Sequence, residues 1–193
     1  MAINFCPRCG HKLELQMVAY RERPVCPSCS FIDFGHYTLG VGGLVLDRDD
    51  GDEGRVLLIQ RNEEPNKSGW TIPGGFVEFD ETVQVAVVRE VAEETGLECE
   101  LQGLVGYRNR ADAQENTSYV VFLLKAIVGQ LITEPNTEIA DVGFFTLAQM
   151  TLMARLAPLS FELARAALEN RLQLLQPTQV IGLFGRPPFT LFI

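Results

Sequence analysis

The sequence predicts an α+β domain, one helix packed on a mixed sheet, preceded by a small cysteine-bound unit. Three observations carry this. Apolar β-type runs come first, then a helix-period stretch, then further β-type runs and a second helix-period stretch. Four of the cysteines fall at the amino-terminal end, as two Cys-x-x-Cys pairs. The length of 193 residues suits one ordinary domain with a small appendage, and 47% of the residues are apolar, too many for a disordered chain.

The first element is expected over residues 1–36. Cys6-Pro7-Arg8-Cys9 and Cys26-Pro27-Ser28-Cys29 stand 16 residues apart, the spacing of a zinc ribbon. A two-loop unit of this length cannot bury enough apolar surface to fold alone, so zinc held by Cys6, Cys9, Cys26 and Cys29 supplies the missing stability. Disulfides are disfavoured in a reducing compartment, and nothing around either pair reads as a thioredoxin-type motif. His11 and His36 are not needed as ligands, and Cys99 is expected to pack as a small apolar residue.

The main domain is expected over 37–176. Leu39 to Leu46 and Arg55 to Arg61 read as strands joined by a charged hairpin loop from Asp47 to Gly54. Further strands are expected from Leu101 to Tyr107, Tyr119 to Val128 and Val142 to Thr146. Helices are expected from about Glu81 to Glu94 and from about Ser160 to Leu175. The tail, 177–193, ends in the apolar stretch Gly182 to Ile193, expected to dock on the domain or on a second subunit of a homodimer.

Charge narrows the function. With 25 acidic and 16 basic residues the formal net charge is −9, which argues against sequence-independent nucleic-acid binding. The ribbon's basic residues, Arg8, Lys12, Arg21 and Arg23, have Tyr20 alone among them and do not alternate with aromatic residues as a stacking platform would require. No apolar run reaches the roughly 18 residues needed to span a bilayer, and the amino terminus does not read as a signal peptide. A cytoplasmic protein with no membrane partner is the expectation.

The candidate chemistry lies on the first helix. Glu90, Glu93 and Glu94 stand at i, i+3 and i+4 and share one face. Three carboxylates crowded beside apolar residues repel one another, and a hard divalent cation, magnesium or manganese, reverses that cost. Pro73-Gly74-Gly75 lets backbone approach a ligand closely, Arg89 can orient Glu93, and Gly96 is expected to cap the helix.

Gly75, Glu81, Arg89-Glu90, Val91, Glu93-Glu94, Gly96 and Leu97 fit the Nudix box at every defined position. The chain thus resembles the Nudix hydrolases, and with its ribbon it is similar to the zinc-ribbon branch that includes ADP-ribose, FAD and NADH pyrophosphatases. The resemblance implies an α/β/α sandwich around the mixed sheet. It implies that Glu90, Glu93 and Glu94 bind catalytic magnesium, with the carbonyl of Gly75 as a further ligand, and that Glu81 and Arg89 hold loop and helix in register. Glu78 would sit beside metal or substrate, and Glu138 stands where relatives carry an acidic ligand or base.

The implied reaction is attack of water on a phosphorus of a nucleoside diphosphate derivative, a small-molecule nucleotide, with ADP-ribose first and FAD second. Downstream of the box, Gly106 to Thr117 lacks the proline- and serine-rich signature of NADH pyrophosphatases. Tyr107, Arg108, Arg110 and Phe145 are the candidate substrate contacts, as base-stacking rings and phosphate- or ribose-binding cations. The alternatives are an NADH pyrophosphatase, or a non-catalytic nucleotide-sensing regulator whose ribbon binds a partner. Retention of every metal carboxylate favours the enzyme.

Overall fold

A computed structural model describes residues 3–48, 53–64, 66–111, 116–132, 134–180 and 189–193. The chain divides into two compact units, one of Met1–Thr38 with Asn109–Ser118, the other of Leu39–Arg108 with Tyr119–Ile193.

In the first unit, strands β1 (Glu14–Val18) and β2 (Arg21–Val25) pair antiparallel between the two cysteine turns. Each turn closes on its first cysteine: Gly10 N–H donates to the Cys6 carbonyl at 2.9 Å and Ser30 N–H to the Cys26 carbonyl at 3.1 Å. The guanidinium of Arg8 lies 5.3 Å from the Phe31 ring centre and that of Arg23 4.7 Å from Phe34. Rings and cations that do not alternate in sequence are therefore paired in space, because the two cysteine turns bring distant residues together.

The second unit holds a six-stranded sheet. Its strands are β3 (Tyr37–Asp47), β4 (Arg55–Arg61), β5 (Trp70–Thr71), β6 (Leu97–Ala111), β7 (Asn116–Gly129) and β8 (Ile139–Phe145). Their order is β5-β4-β3-β7-β6, with β8 also paired to β4. Three helices accompany the sheet: α1 (Val83–Thr95), α2 (Leu147–Thr151) and α3 (Pro158–Leu168). The alternation of side chains along a strand decides which helix each residue meets. Val41, Val45, Leu57, Phe122 and Leu124 join Ala86, Val87 and Val91 of α1 in one buried cluster. Leu44, Val56, Leu58 and Val121 join Met150 of α2 and Ala164 and Ala167 of α3 in the other. The result is an α+β fold with helices on both faces of the sheet. Each fully buried valine or leucine contributes on the order of 1.5–3 kcal/mol.

The strand expectations hold in place, with β6 and β7, hydrogen-bonded neighbours in the sheet, running longer than their apolar centres. Residues 49–52, at the centre of the expected charged hairpin loop, lie outside the described residues; the register that frames them, Leu46 opposite Val56 and Asp47 opposite Arg55, is antiparallel. The second helix is shorter than expected. It ends at Leu168, and Asn170 turns into the left-handed region at φ 55°. Leu172 keeps helical spacing only by coincidence, packing on the core as irregular chain, while Leu175 bridges to Leu104. Helix α2, too short to show a period, has a capping box between Thr146 and Gln149.

Beyond α3, β9 (Pro177–Val180) and β10 (Phe189–Phe192) form an antiparallel hairpin. The Phe192 ring lies 5.4 Å from that of Phe122 and packs on the α1 cluster. Residues 181–188, most of the expected apolar tail, are outside the described residues. Among the described residues no helix is long and apolar enough to cross a membrane.

Candidate active site and cysteine cluster

Helix α1 begins where the Thr82 hydroxyl accepts the Val85 N–H and ends where Gly96, at φ 78°, donates to the Ala92 carbonyl at 2.9 Å. The loop before it is stitched along β3. Gly43 N–H donates to the Pro73 carbonyl at 2.9 Å, Val41 N–H to Gly75 at 2.8 Å, and Val77 N–H to Leu39 at 3.0 Å. The far side is anchored by α3, whose buried Ser160 hydroxyl accepts the Ile72 N–H at 3.0 Å. Loop and helix are thus fixed to the same sheet.

Two glycines make their approach possible. A Cβ on Gly75 would lie 2.6 Å from the Glu90 carboxylate oxygens, and one on Gly74, at φ 149°, would lie 2.1 Å from the Val41 carbonyl oxygen. The Gly74 N–H donates to a Glu94 oxygen at 2.7 Å.

Glu94 is 6% exposed. Burial pushes its carboxyl up to about 8; the Gly74 bond and Arg61 oppose this, while Glu90 and Glu138 add to it. Burial also raises Glu90, with Glu93 and Glu138 adding to the shift and Arg89 opposing it. Beside them Arg89 forms a fork on Glu81, Nε to Oε2 at 3.1 Å and a terminal nitrogen to Oε1 at 2.6 Å. Its other terminal nitrogen donates to Glu90 at 2.9 Å and Glu93 at 3.0 Å. The same arginine reaches the Phe76 carbonyl at 3.3 Å, and Glu81 accepts the Glu78 N–H at 3.0 Å. Glu81 is held below the ordinary carboxylate range, chiefly by its hydrogen bonds to Arg89. A single guanidinium therefore ties the loop to the carboxylate face of α1.

A cleft of about 220 Å3 opens here. Glu90, Glu94, Glu78, Gly75 and Glu138 line it together, although Glu138 is distant in sequence. Asn136 makes that placement definite: its side-chain oxygen accepts the N–H groups of Glu138 and Ile139, each at 2.8 Å. Glu93, Glu81, Arg89, Tyr107, Arg108, Arg110 and Phe145 are not among its lining residues. Glu93 is on the exposed side, paired with Arg89. Phe145 packs edge-on to Trp70 at 5.0 Å, and Arg108 lies 5.6 Å from the Tyr119 ring centre. Tyr107 is exposed. Residues 112–115 of the expected specificity segment lie outside the described residues.

Sequence reasoning missed Arg61, Glu63 and Phe76, which line the same cleft. Phe76 carried a signal, being next to Gly75. Arg61 carried only its position at the end of an apolar strand.

The donor set suits a hard cation. A buried carboxylate, Glu94, and a half-buried one, Glu90, whose charged forms are disfavoured by burial and by each other, face a glycine loop and would be relieved by a divalent ion. The Gly75 carbonyl accepts one hydrogen bond from Val41 and keeps a second lone pair.

The four amino-terminal cysteines form a separate cluster. Cys6 and Cys29 sulfurs lie 3.5 Å apart, Cys9 and Cys26 3.4 Å, Cys9 and Cys29 3.5 Å, and all four fall within 4.8 Å of one another. Thiolates on a tetrahedral zinc lie about 3.8 Å apart, given Zn–S bonds of about 2.3 Å. Burial acts to raise the Cys26 thiol, but the N–H groups of Cys29 and Ser28, with Cys9, outweigh it and bring it down to about 6. Cys99 is buried elsewhere, where burial raises its thiol to about 11.

A helix offering carboxylates to a glycine loop on a two-faced α+β sheet makes a site that suits a hard divalent cation. The family model for the NUDIX domain matches residues 36–167, and the model for the Nudix N-terminal zinc ribbon matches residues 4–37. The chain belongs to the Nudix hydrolases, the pyrophosphohydrolases that act on nucleoside diphosphate derivatives. It is 36% identical over 121 residues to an ADP-ribose pyrophosphatase of Methanocaldococcus jannaschii, covering 62% of this chain and 68% of that one. It is 30% identical over 146 residues to the NAD-capped RNA hydrolase NudC of Haemophilus influenzae, covering 76% of this chain and 52% of that protein. Among solved structures, a NUDIX hydrolase from Nitrosomonas europaea shares the fold at TM-score 0.70 and 24% identity, covering 88% of this chain and 92% of that one. A MutT NUDIX hydrolase from Burkholderia pseudomallei aligns at TM-score 0.57 and 31% identity over 70% of this chain and 98% of that one.

Proposed function

We propose that this chain cleaves the diphosphate of an ADP-linked small molecule, ADP-ribose first and FAD second, with magnesium or manganese at the carboxylate cleft. The observation that carries the reading is the convergence of Glu90, Glu94, Gly75 and Glu138 on one cleft. The bound cation supplies Lewis acidity to phosphoryl oxygens and lowers the pKa of water. Glu90, Glu94 and the Gly75 carbonyl would hold it, and Glu93 would join them only on leaving Arg89. Glu81 and Arg89 keep helix and loop in register. Glu138 takes the proton from the attacking water, and Glu78 stands beside the substrate. Water oxygen bonds to one phosphorus as the bridging P–O bond breaks, so ADP-ribose yields AMP and ribose 5-phosphate.

The ADP-ribose preference is supported by the 36% identical relative and by the absence of the NADH-type signature after α1. Tyr107, Arg108 and Arg110 remain its candidate substrate contacts on the β6 side. Phe145, packed on Trp70, needs to move to stack on a base. Zinc on the four cysteines is structural, because four thiolates complete a tetrahedral shell and leave no place for water. Residues 1–36 then form the ribbon, 37–176 the catalytic domain and 177–193 its carboxy-terminal extension.

The test compares kcat/KM for ADP-ribose, FAD, NADH and 8-oxo-dGTP at one magnesium concentration, reading phosphate monoester release. ADP-ribose is expected to lead. A preference of more than about tenfold, roughly 1.4 kcal/mol of transition-state binding, for NADH or 8-oxo-dGTP overturns the substrate assignment.

A further inference from the structure

Glu138 lines the cleft from an exposed loop, and residues in exposed loops ordinarily sample many backbone conformations. This one is held from two directions. From within the loop, the Asn136 side-chain oxygen accepts the N–H groups of both Glu138 and Ile139 at 2.8 Å, and the Asn136 N–H donates to the Ile139 carbonyl at 2.9 Å. From the end of β4, Asn62 donates its N–H to the Glu138 carbonyl at 2.7 Å and its side-chain amide to the Asn136 carbonyl at 2.8 Å. Two asparagines 74 residues apart in the chain thus close on one carboxylate-bearing residue.

The backbone behind this clamp is firmly built. Asn62 follows the last residue of β4, whose N–H donates to the Gly69 carbonyl at 2.9 Å and whose carbonyl accepts the Ser68 N–H at 2.8 Å. The β4–β8 register shifts at the same point: Gln60 pairs with Asp141 and Arg61 with Ile139, so Ala140 is an extra residue on β8. Bulges of this kind re-aim the chain beside functional sites. Ile139, buried at the start of β8, anchors the other end of the loop. Asparagine suits both positions, because its side chain can accept from nearby backbone N–H groups or donate to a distant carbonyl. Misplacing a reacting group by about 1 Å costs on the order of a hundredfold in rate, so what fixes this loop bears directly on turnover.

We propose that Asn62 and Asn136 are positioning residues that act through Glu138, holding its carboxylate at the cleft where the attacking water gives up its proton. This rests on the pyrophosphohydrolase reading above and adds to it the device that places the proton acceptor. Asn136 sets the conformation of the loop, and Asn62 attaches that loop to the end of β4. Neither side chain touches the reacting atoms, so the effect of each on turnover should vanish once residue 138 has no carboxylate to place.

The test uses the full zinc-loaded chain with Asn62→Ala, Asn136→Ala and Asn136→Asp, each alone and combined with Glu138→Gln. Asn62 is half-buried and Asn136 exposed, so the variants are expected to fold, and zinc content and thermal melting check that they do. With a nucleoside diphosphate derivative that the wild type hydrolyses, Asn136→Ala is expected to lower kcat by about tenfold or more and Asn62→Ala by about fivefold, with KM within about twofold. Asn136→Asp keeps an acceptor for both N–H groups and should stay within about threefold of wild type. In the Glu138→Gln background neither alanine should cost more than about twofold. A loss under about twofold in both alanine variants, or an equal loss with and without the Glu138 carboxylate, overturns the proposal. If Glu138→Gln turns over like the wild type, or the wild type hydrolyses none of the derivatives, the reading of Glu138 or of the reaction fails on its own. The clamp is then read from amide hydrogen exchange. Exchange at Glu138 and Ile139 faster by about tenfold or more in Asn136→Ala, and restored in Asn136→Asp, supports it, and unchanged exchange overturns it.

Discussion

The Gly74 N–H and the Glu94 carboxylate are joined by a 2.7 Å hydrogen bond across 20 residues of chain. This bond fixes the distance between the glycine loop and the helix that faces it. It is also one of the few interactions favouring a charge that burial opposes. Removal of the cation should therefore expose an electrostatic cost that its presence hides.

That cost has a direction. The Glu94 carboxyl sits at about 8 in the folded chain against an ordinary value of 4.5. Between these values the folded state holds a proton that the unfolded state has released, so stability falls as pH rises through the window. In magnesium-free buffer, melting temperature is expected to decline from pH 5 to pH 8 and then level. Magnesium should flatten the decline, and its apparent affinity should rise with pH as Glu94 gives up its proton. Calorimetric melts with and without magnesium check both, and a melting temperature that climbs through the window contradicts the Glu94 assignment.

Glu94→Gln and Glu90→Gln remove one charge each while keeping shape. Turnover should drop by about a hundredfold or more in each, with the fold retained. Because Glu94 is buried and its charge disfavoured, Glu94→Gln should melt higher than wild type in magnesium-free buffer above pH 8. Near-normal turnover of both variants at limiting magnesium would show that the metal site lies elsewhere.

Gly75→Ala introduces a methyl group at 2.6 Å from the Glu90 carboxylate. The expected result is a loss of activity of about tenfold or more with only a small change in melting temperature, since the clash falls at a cleft rather than in the core. Weaker Mn2+ binding in the same variant would trace the loss to displaced Glu90.

Arg89→Lys keeps the positive charge but loses the fork on Glu81. Lysine has no planar pair of donors to span both Glu81 oxygens and still reach Glu90, Glu93 and the Phe76 carbonyl. Turnover should fall by about tenfold or more, with KM for magnesium rising, because the loop and helix lose their common tie. Steady-state kinetics over a magnesium series tests this.

Cys26→Ser should release zinc and unfold the amino-terminal unit, because a unit of two short strands has no apolar core to fall back on. Elemental analysis is expected to give one zinc per wild-type chain and none for the variant. Wild-type protein prepared without chelators that contains no zinc would contradict the assignment.

Three things were open to a reader of the chain alone. The spacing of Glu90, Glu93 and Glu94 dictates a shared helix face, because 3.6 residues per turn is a property of the backbone. The Cys-x-x-Cys pairs dictate a cluster, because a tight turn leaves two thiols little freedom. Strand β4 appears with its expected limits, being a short apolar run between polar ends. What tertiary structure alone decided were the groupings made across the sheet. Glu93, equal to its neighbours on the helix, is taken outward by Arg89, while Glu94 is buried by the loop that crosses it. Glu138 reaches the cleft only because Asn136 and Asn62 hold its segment beside the end of β4. Arg61 has no motif around it, and it lines the cleft at the end of a strand whose register with β8 shifts there. Periodicity and turn chemistry are local and can be read from neighbouring residues. Which side chain is desolvated, paired or left over is set by atoms distant in sequence.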